Sequence, residues 1–214
     1  TATLDSGFKD KQPDAFAANP SLYEIGGVSG STITPLLNAG TIRPLDDLVA
    51  KYGQNLNPNQ LIKIDGKIMG IAMSVNNQHL MYRKDILDDL GIAEPKTYDD
   101  VLAAAEKIKA ANVVDYPFGG AYKSGWNIAE EFVNMYLGNG GDFFGDGNAP
   151  AINNAAGIKS LETMKKLTAY MDPEYLTSDS TYAQKQMQQE KIAMAYLWAT
   201  RAGAMDNAEE SKVV

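Results

Sequence analysis

The 214-residue chain can bury a sizeable core and is long enough for one large or two small domains. Its hydrophobic content of 44% and charged content of 21% exclude a disordered polypeptide. The formal net charge of −8 disfavours nonspecific binding to nucleic acid or anionic membrane, both of which need basic patches. The absence of cysteine rules out disulfides and thiolate metal sites, and no apolar run approaches the ~18 residues of a membrane span.

In chain order, Pro13–Ala18 reads as a short buried strand after a polar turn. Ser29–Gly40 reads as a capped helix that stops at its glycine, and Pro44–Gly53 as another short helical unit. Asp65-Gly66 between two apolar runs, 61–64 and 68–73, is a strong hairpin signal. The polar cluster Asn76-Asn77-Gln78-His79 then leads into an apolar, β-prone step, Leu80-Met81-Tyr82. Beyond Thr97 the pattern turns helical: Thr97 can cap, Asp100 holds the capping-box position, and Val101, Leu102, Ala105 and Ile108 recur at helical spacing.

A loop rich in Gly, Tyr and Lys (118–125) precedes a second helix over 127–137, which Gly138-Asn139-Gly140-Gly141 ends. A third helix is predicted over 155–171 with Ile158, Leu161, Met164, Leu167 and Met171 on one face. A fourth, mostly polar, covers 182–190. Ile192–Tyr196 is a strand running into Leu197-Trp198-Ala199-Thr200-Arg201, and the charged tail from Asp206 is expected to fray. Residue 1 is Thr and no signal peptide is visible, so the chain reads as processed or truncated.

Several of these segments carry a resemblance. Tyr82-Arg83-Lys84-Asp85-Ile86 followed by Pro95-Lys96-Thr97-Tyr98-Asp99-Asp100-Val101 is similar to the crossover of the extracellular solute-binding proteins of ABC sugar importers, the maltose-binding-like family 1. Ala39-Gly40-Thr41-Ile42-Arg43-Pro44-Leu45-Asp46-Asp47, Gly140-Gly141, Asn153–Gly157 and Lys191–Met194 match the same family in order. Each motif is weak alone; their order and spacing from Pro13 to Met205 are specific. The resemblance implies an α/β, periplasmic-binding-protein-like two-lobe fold (type II), incomplete here because family members are much longer. Residues 1–75 would form part of lobe 1, 76–84 the interlobe crossover, 85–205 most of lobe 2 and 206–214 a frayed tail.

The resemblance implies a receptor that closes by hinge motion on a carbohydrate, a mono- or oligosaccharide, and delivers it to the transmembrane subunits of an ABC permease. It would be a monomer, exported to the periplasm or cell surface, with no nucleic-acid partner, cofactor, metal or catalytic residue. A sugar site needs aromatic platforms for ring faces and amides, carboxylates or Arg for hydroxyls. Trp126 and Trp198 are the only tryptophans, each where a loop meets a regular element; core packing is the competing reading. Asn76, Asn77 and Gln78 would bond ligand hydroxyls at the base of a cleft, unless they only satisfy backbone at a bend. Arg201 is a second candidate beside Trp198, and Asn19 one on the lobe 1 side. Glu130 and Glu131 sit where the helix dipole favours acids in any case, yet Glu130 could reach a hydroxyl.

The single histidine, His79, removes His-based metal clusters and Ser-His-Asp triads. Asp142–Asn148 lacks calcium-loop spacing and reads as a solvated turn. The rival to a receptor is a carbohydrate-active hydrolase, which needs two carboxylates across a cleft; no motif here pairs them. A sensory protein on the same fold is a third reading.

Overall fold

Residues 8–213 are described by a computed structural model and fall into two units, Thr1–Val75 and Asn76–Val214. In the first, helix α1 (Phe8–Ala17) takes the place of the strand expected over Pro13–Ala18. Gln12 and Ala15 are buried and Phe16 half-buried, a helical spacing instead of an alternation. A strand also needs a neighbour for its N–H and C=O groups, whereas a helix satisfies its own backbone. The strands described in this unit are the two of a single hairpin. Helix α2 (Gly30–Asn38) opens at Ser29, whose N–H bonds Thr32 Oγ1 at 2.8 Å. It closes where the Gly40 and Thr41 N–H groups reach back to the Leu37 and Leu36 carbonyls.

Helix α3 (Asp46–Tyr52) is fastened to the hairpin of β1 (Leu61–Ile64) and β2 (Lys67–Ile71). Asp46 accepts the Ile68 N–H at 3.2 Å, and the Leu45 N–H donates to the Ile68 carbonyl at 2.7 Å. At the hairpin tip Asp65 and Gly66 have φ of 50° and 75°, the doubly positive pair that two-residue turns require.

The second unit is built on a three-stranded sheet of order β3–β5–β4, formed by β3 (Gln78–Tyr82), β4 (Tyr116–Gly119) and β5 (Ile192–Trp198). β3 runs antiparallel to β5, with Gln78 opposite Trp198 and Tyr82 opposite Met194. β4 runs parallel to β5, with Phe118 opposite Met194. Parallel neighbours need a long crossover. Here it comprises α6 (Trp126–Gly138), α7 (Ala155–Leu167) and α8 (Ser180–Gln188). α4 (Lys84–Asp89) and α5 (Tyr98–Ala111) join β3 to β4. One sheet face, with Phe118 and Met194, packs on Val101, Ala105 and Ile108 of α5, Met135 of α6 and Leu167 of α7. The other packs Ala195 and Leu197 on Ala183 and Met187 of α8.

α5 opens as its sequence predicts: Thr97 Oγ1 accepts the Asp100 N–H at 3.1 Å, and Asp100 Oδ2 accepts the Thr97 N–H at 2.9 Å. α7 departs from expectation. Ile158 and Leu161 are exposed, and the buried face is Gly157, Ser160, Thr163, Met164 and Leu167, continuing to Met171. Hydroxyls can be buried there because they bond back along the helix, Ser160 to the Ala156 carbonyl at 2.7 Å and Thr163 to that of Lys159 at 2.8 Å. α8, although polar in sequence, buries Gln184, Gln186 and Gln188, each hydrogen-bonded. After α9 (Ala202–Met205) the tail is tied back: Ser211 is buried and the Lys212 N–H donates to the Gln188 carbonyl at 2.8 Å.

The α6–α7 connection yields a stability prediction. A Cβ on Gly141 would lie only 2.3 Å from a ring carbon of Tyr136. That ring is fully buried and cannot yield, since its hydroxyl bonds the Asp142 carbonyl at 2.5 Å and accepts from Asn154 Nδ2 at 2.8 Å. Gly141→Ala should therefore destabilise by about 1–3 kcal/mol, an overpacking cost, read as a lower urea midpoint at unchanged slope.

Candidate functional site

The topology of the second unit brings three loops to one edge of its sheet. β4 and β5 run parallel, so their carboxyl ends point the same way, and the amino end of antiparallel β3 lies beside the carboxyl end of β5. Ligands of open α/β sheets gather at such carboxyl edges. Of the predicted residues, Asn76, Asn77, Gln78, Trp198 and Arg201 meet where β3 begins and β5 ends. Trp126 and Glu130 lie on the first turns of α6, which follows β4. Asn19 belongs to the first unit, where it is exposed.

The hydrogen bonds identify the groups that build this edge. Asn76 Nδ2 donates to Thr200 Oγ1 and Asn76 Oδ1 accepts the Thr200 N–H, both at 3.2 Å. The Asn77 carbonyl accepts the Ala199 N–H at 2.8 Å. These bonds clip the start of β3 to the turn after β5. Arg201 is spent on α8: Nη1 donates to Gln184 Oε1 at 2.8 Å, and Nη2 to Ser180 Oγ at 3.0 Å and Thr181 Oγ1 at 3.1 Å. Trp198 is half-buried, and Trp126 keeps 60% of its surface exposed.

α6 contributes groups that periodicity alone passed over. Asn134 Nδ2 donates to Gln78 Oε1, joining the helix to β3. Glu131 is buried, and its Oε1 accepts the Ala121 N–H at 3.2 Å from the loop between β4 and α6. Burial pushes its carboxyl up to about 8, against the Ala121 hydrogen bond, which pulls the other way, and with the help of neighbouring Glu130. Burial also raises the carboxyl of half-buried Glu130. Asn127, Glu130, Glu131 and Asn134 form a polar stripe at helical spacing on an otherwise apolar helix, and that stripe was the available signal.

A pocket of about 520 Å³ opens between β3, the start of α5, and helices α6 and α7. Gln78, Tyr98, Asn134, Asn139, Lys159 and Tyr196 are among its lining residues. The volume is within the ordinary range for small-molecule sites. Tyr98 and Tyr196 pack edge to face with ring centroids 5.7 Å apart, and burial raises both phenols. Tyr196 Oη is buried without a hydrogen-bond partner among the described residues. Gln78 is the one predicted residue in this lining. A second depression of about 400 Å³, lined by 112–116, lies at the amino end of β4, away from the carboxyl edge. Among the described residues no group of three or more His, Cys, Asp or Glu side chains is placed to hold a metal ion, and no helix is long and apolar enough to cross a membrane.

The raised carboxyl of Glu131 has a calculable consequence. Below its ordinary value of 4.5 both folded and unfolded chains hold the proton. Between 4.5 and about 8 the unfolded chain releases it and the folded chain keeps it, so rising pH costs stability, and above about 8 the loss is complete. Glu131→Gln, which keeps an acceptor for Ala121, should melt progressively higher than the wild type as pH rises from 5 to 8. The difference should vanish at pH 4, and thermal melts across this range check it.

Comparison with known proteins places these observations. A family model for bacterial extracellular solute-binding proteins matches residues 11–214. A probable sugar-binding periplasmic protein of Mesorhizobium japonicum is 29% identical over 160 residues, covering 70% of this chain and 38% of that protein. The crystal structure of an ABC transporter solute-binding protein from Agrobacterium radiobacter K84, in complex with ribitol, superposes with a TM-score of 0.85 at 20% identity. It covers 100% of this chain and 56% of its own. A solute-binding protein from Agrobacterium vitis S4 with bound D-mannitol gives a TM-score of 0.78 at 22% identity, covering 99% and 53%. The chain thus spans about half the length of the relatives it matches. Its fold is the α/β, periplasmic-binding-protein-like one expected from sequence, and it belongs to the bacterial extracellular solute-binding protein family.

Proposed function

We propose that this protein is the carbohydrate receptor of an ABC importer, binding a saccharide or sugar alcohol at the carboxyl edge of the second unit's sheet. The observation that carries the reading is the gathering of Trp126, Trp198, Asn77 and Gln78 at one sheet edge. Tryptophan faces suit the C–H side of a neutral polyol, and amides suit its hydroxyls. Relatives named as sugar-binding, and related structures holding ribitol and D-mannitol, support the same ligand class. Trp126 and Trp198 are the stacking platforms, Glu130 and the Gln78 amide nitrogen the hydroxyl partners, and Asn76 and Arg201 hold the loops that present them. Residues 76–84 form the connection between lobes.

The ligand leaves chemically unchanged. Glycoside hydrolysis needs two carboxyl groups facing one another across the bond, and the acids at this edge, Glu130 and Glu131, are neighbours on one helix. The receptor acts as an exported monomer and hands its ligand to a membrane permease.

Titration with ribitol, D-mannitol, maltose and longer oligosaccharides, followed by tryptophan fluorescence, tests this. Saturable quenching is expected for at least one ligand, which chromatography recovers intact. Trp126→Ala should weaken that binding at least ~10-fold, about 1.4 kcal/mol. Arg201→Ala should instead lower the melting temperature and leave affinity nearly unchanged. A folded protein that responds to none of these compounds removes the saccharide assignment, and cleavage of any of them removes the receptor.

A further inference from the structure

Gln78 and Asn134 make only half of the hydrogen bonds that two facing amides can share. Asn134 Nδ2 donates to Gln78 Oε1, but the reciprocal bond from Gln78 Nε2 to Asn134 Oδ1 is not made. Both side chains are half-buried, and both line the pocket of about 520 Å³ between β3, α5, α6 and α7. The Gln78 NH2 group and the Asn134 carbonyl oxygen have no hydrogen-bond partner among the described residues. Turning both amides over would exchange their roles and leave the same complement, an N–H donor beside a carbonyl acceptor. The pair therefore suits a ligand that accepts at one atom and donates from the next.

The rest of the lining narrows the chemistry. Tyr98 and Tyr196, packed edge to face, give apolar surface together with Leu80 and Val101. The lysines at the pocket are already matched: Lys159 Nζ lies 3.4 Å from Asp99, and Lys96 Nζ 3.0 Å from Glu94. A carboxylate or phosphate would satisfy the Gln78 N–H yet face the Asn134 oxygen, and an ammonium ion the reverse. A neutral compound with hydroxyls on adjacent carbons meets both groups. One of its oxygens accepts from Gln78, the next O–H donates to Asn134, and the C–H bonds beside them lie against the apolar wall. The Ala199 N–H bond to the Asn77 carbonyl makes Gln78 and Trp198 a non-hydrogen-bonded pair, whose side chains stand close on one face. The pocket thus continues from the tryptophan edge.

We propose that this pocket is the seat of a vicinal diol of the ligand, with Asn134 as its acceptor and Gln78 as its donor. The seat rests on the carbohydrate reading above and makes Asn134 a further contact residue.

Calorimetric titration with D-mannitol, ribitol and maltose, repeated with ¹⁵N NMR of the side-chain amides, tests it. For a compound that binds, the Gln78 and Asn134 NH2 signals should shift and saturate together with the heat. Asn134→Leu, similar in shape but without the carbonyl, should lower that affinity about 10-fold. Pentaerythritol, a neutral polyol with no two hydroxyls on adjacent carbons, should move neither signal. Three results each overturn the diol seat and leave the carbohydrate reading standing: a bound compound that moves neither signal, a folded Asn134→Leu protein of unchanged affinity, or an equal response to pentaerythritol. Binding of none of the three titrated compounds overturns both.

Discussion

β5 is hydrogen-bonded on both sides, antiparallel to β3 and parallel to β4, and the second unit depends on that double pairing. Ile192, Ala193, Met194, Ala195 and Leu197 have no exposed surface. A strand so placed must carry apolar side chains on both faces, and it fixes where the chain can re-emerge into water. That point is Trp198, directly opposite Gln78. Small residues at 193 and 195 let the flanking helices approach, and Ala195 shares one buried cluster with Ala183 of α8. The carboxyl edge and its loops follow from the register of this one strand.

Around the sheet, the helices bury polar side chains to an extent that hydrophobic patterning does not anticipate. The cost of removing an amide or hydroxyl from water is offset only if its hydrogen bonds are remade. α8 meets this with Gln186 donating to Asp172 at 2.9 Å and Gln188 to the Ala204 carbonyl at 2.8 Å, while Gln184 accepts from Arg201. α7 does so with hydroxyls turned back on its own carbonyls, and Asn139 of the α6–α7 connection donates to Ser160 at 3.0 Å. Glu131 departs from the pattern: it has one backbone donor and faces a second acid. The fold tolerates it by keeping its proton.

These features divide what the sequence discloses from what it conceals. Caps and turns rest on interactions within three or four residues, so Ser29, Asp65-Gly66 and Thr97-Asp100 were legible as they stand. The order of short motifs was also legible, and it pointed to the family whose model matches. Which side of a helix faces the core is set by distant elements. Ile158 and Leu161 therefore seemed buried, while Ser160 and Thr163 truly are. α1 replaces the strand expected over Pro13–Ala18 because a strand needs a pairing partner, which the local sequence does not specify. At the candidate site, the sequence picked out Asn76 and Arg201 by residue type, but their partners Thr200, Ser180 and Gln184 lie on other elements.

The commitments of these side chains bear on function more than their identities do. An amide or guanidinium with its hydrogen bonds already made inside the protein has little to offer a ligand, since breaking a good bond to form another gains almost nothing. Asn76 and Arg201 are in that position; they lend shape to the edge. A large ring left mostly in water offers apolar surface instead, because burying it would contribute to folding and the fold has not done so. Trp126, 60% exposed at the start of α6 and one turn from half-buried Glu130, presents an apolar face beside a hydrogen-bonding group. Neither a purely polar nor a purely apolar solute satisfies both. A polyol or sugar, whose ring or chain has C–H surface flanked by hydroxyls, does.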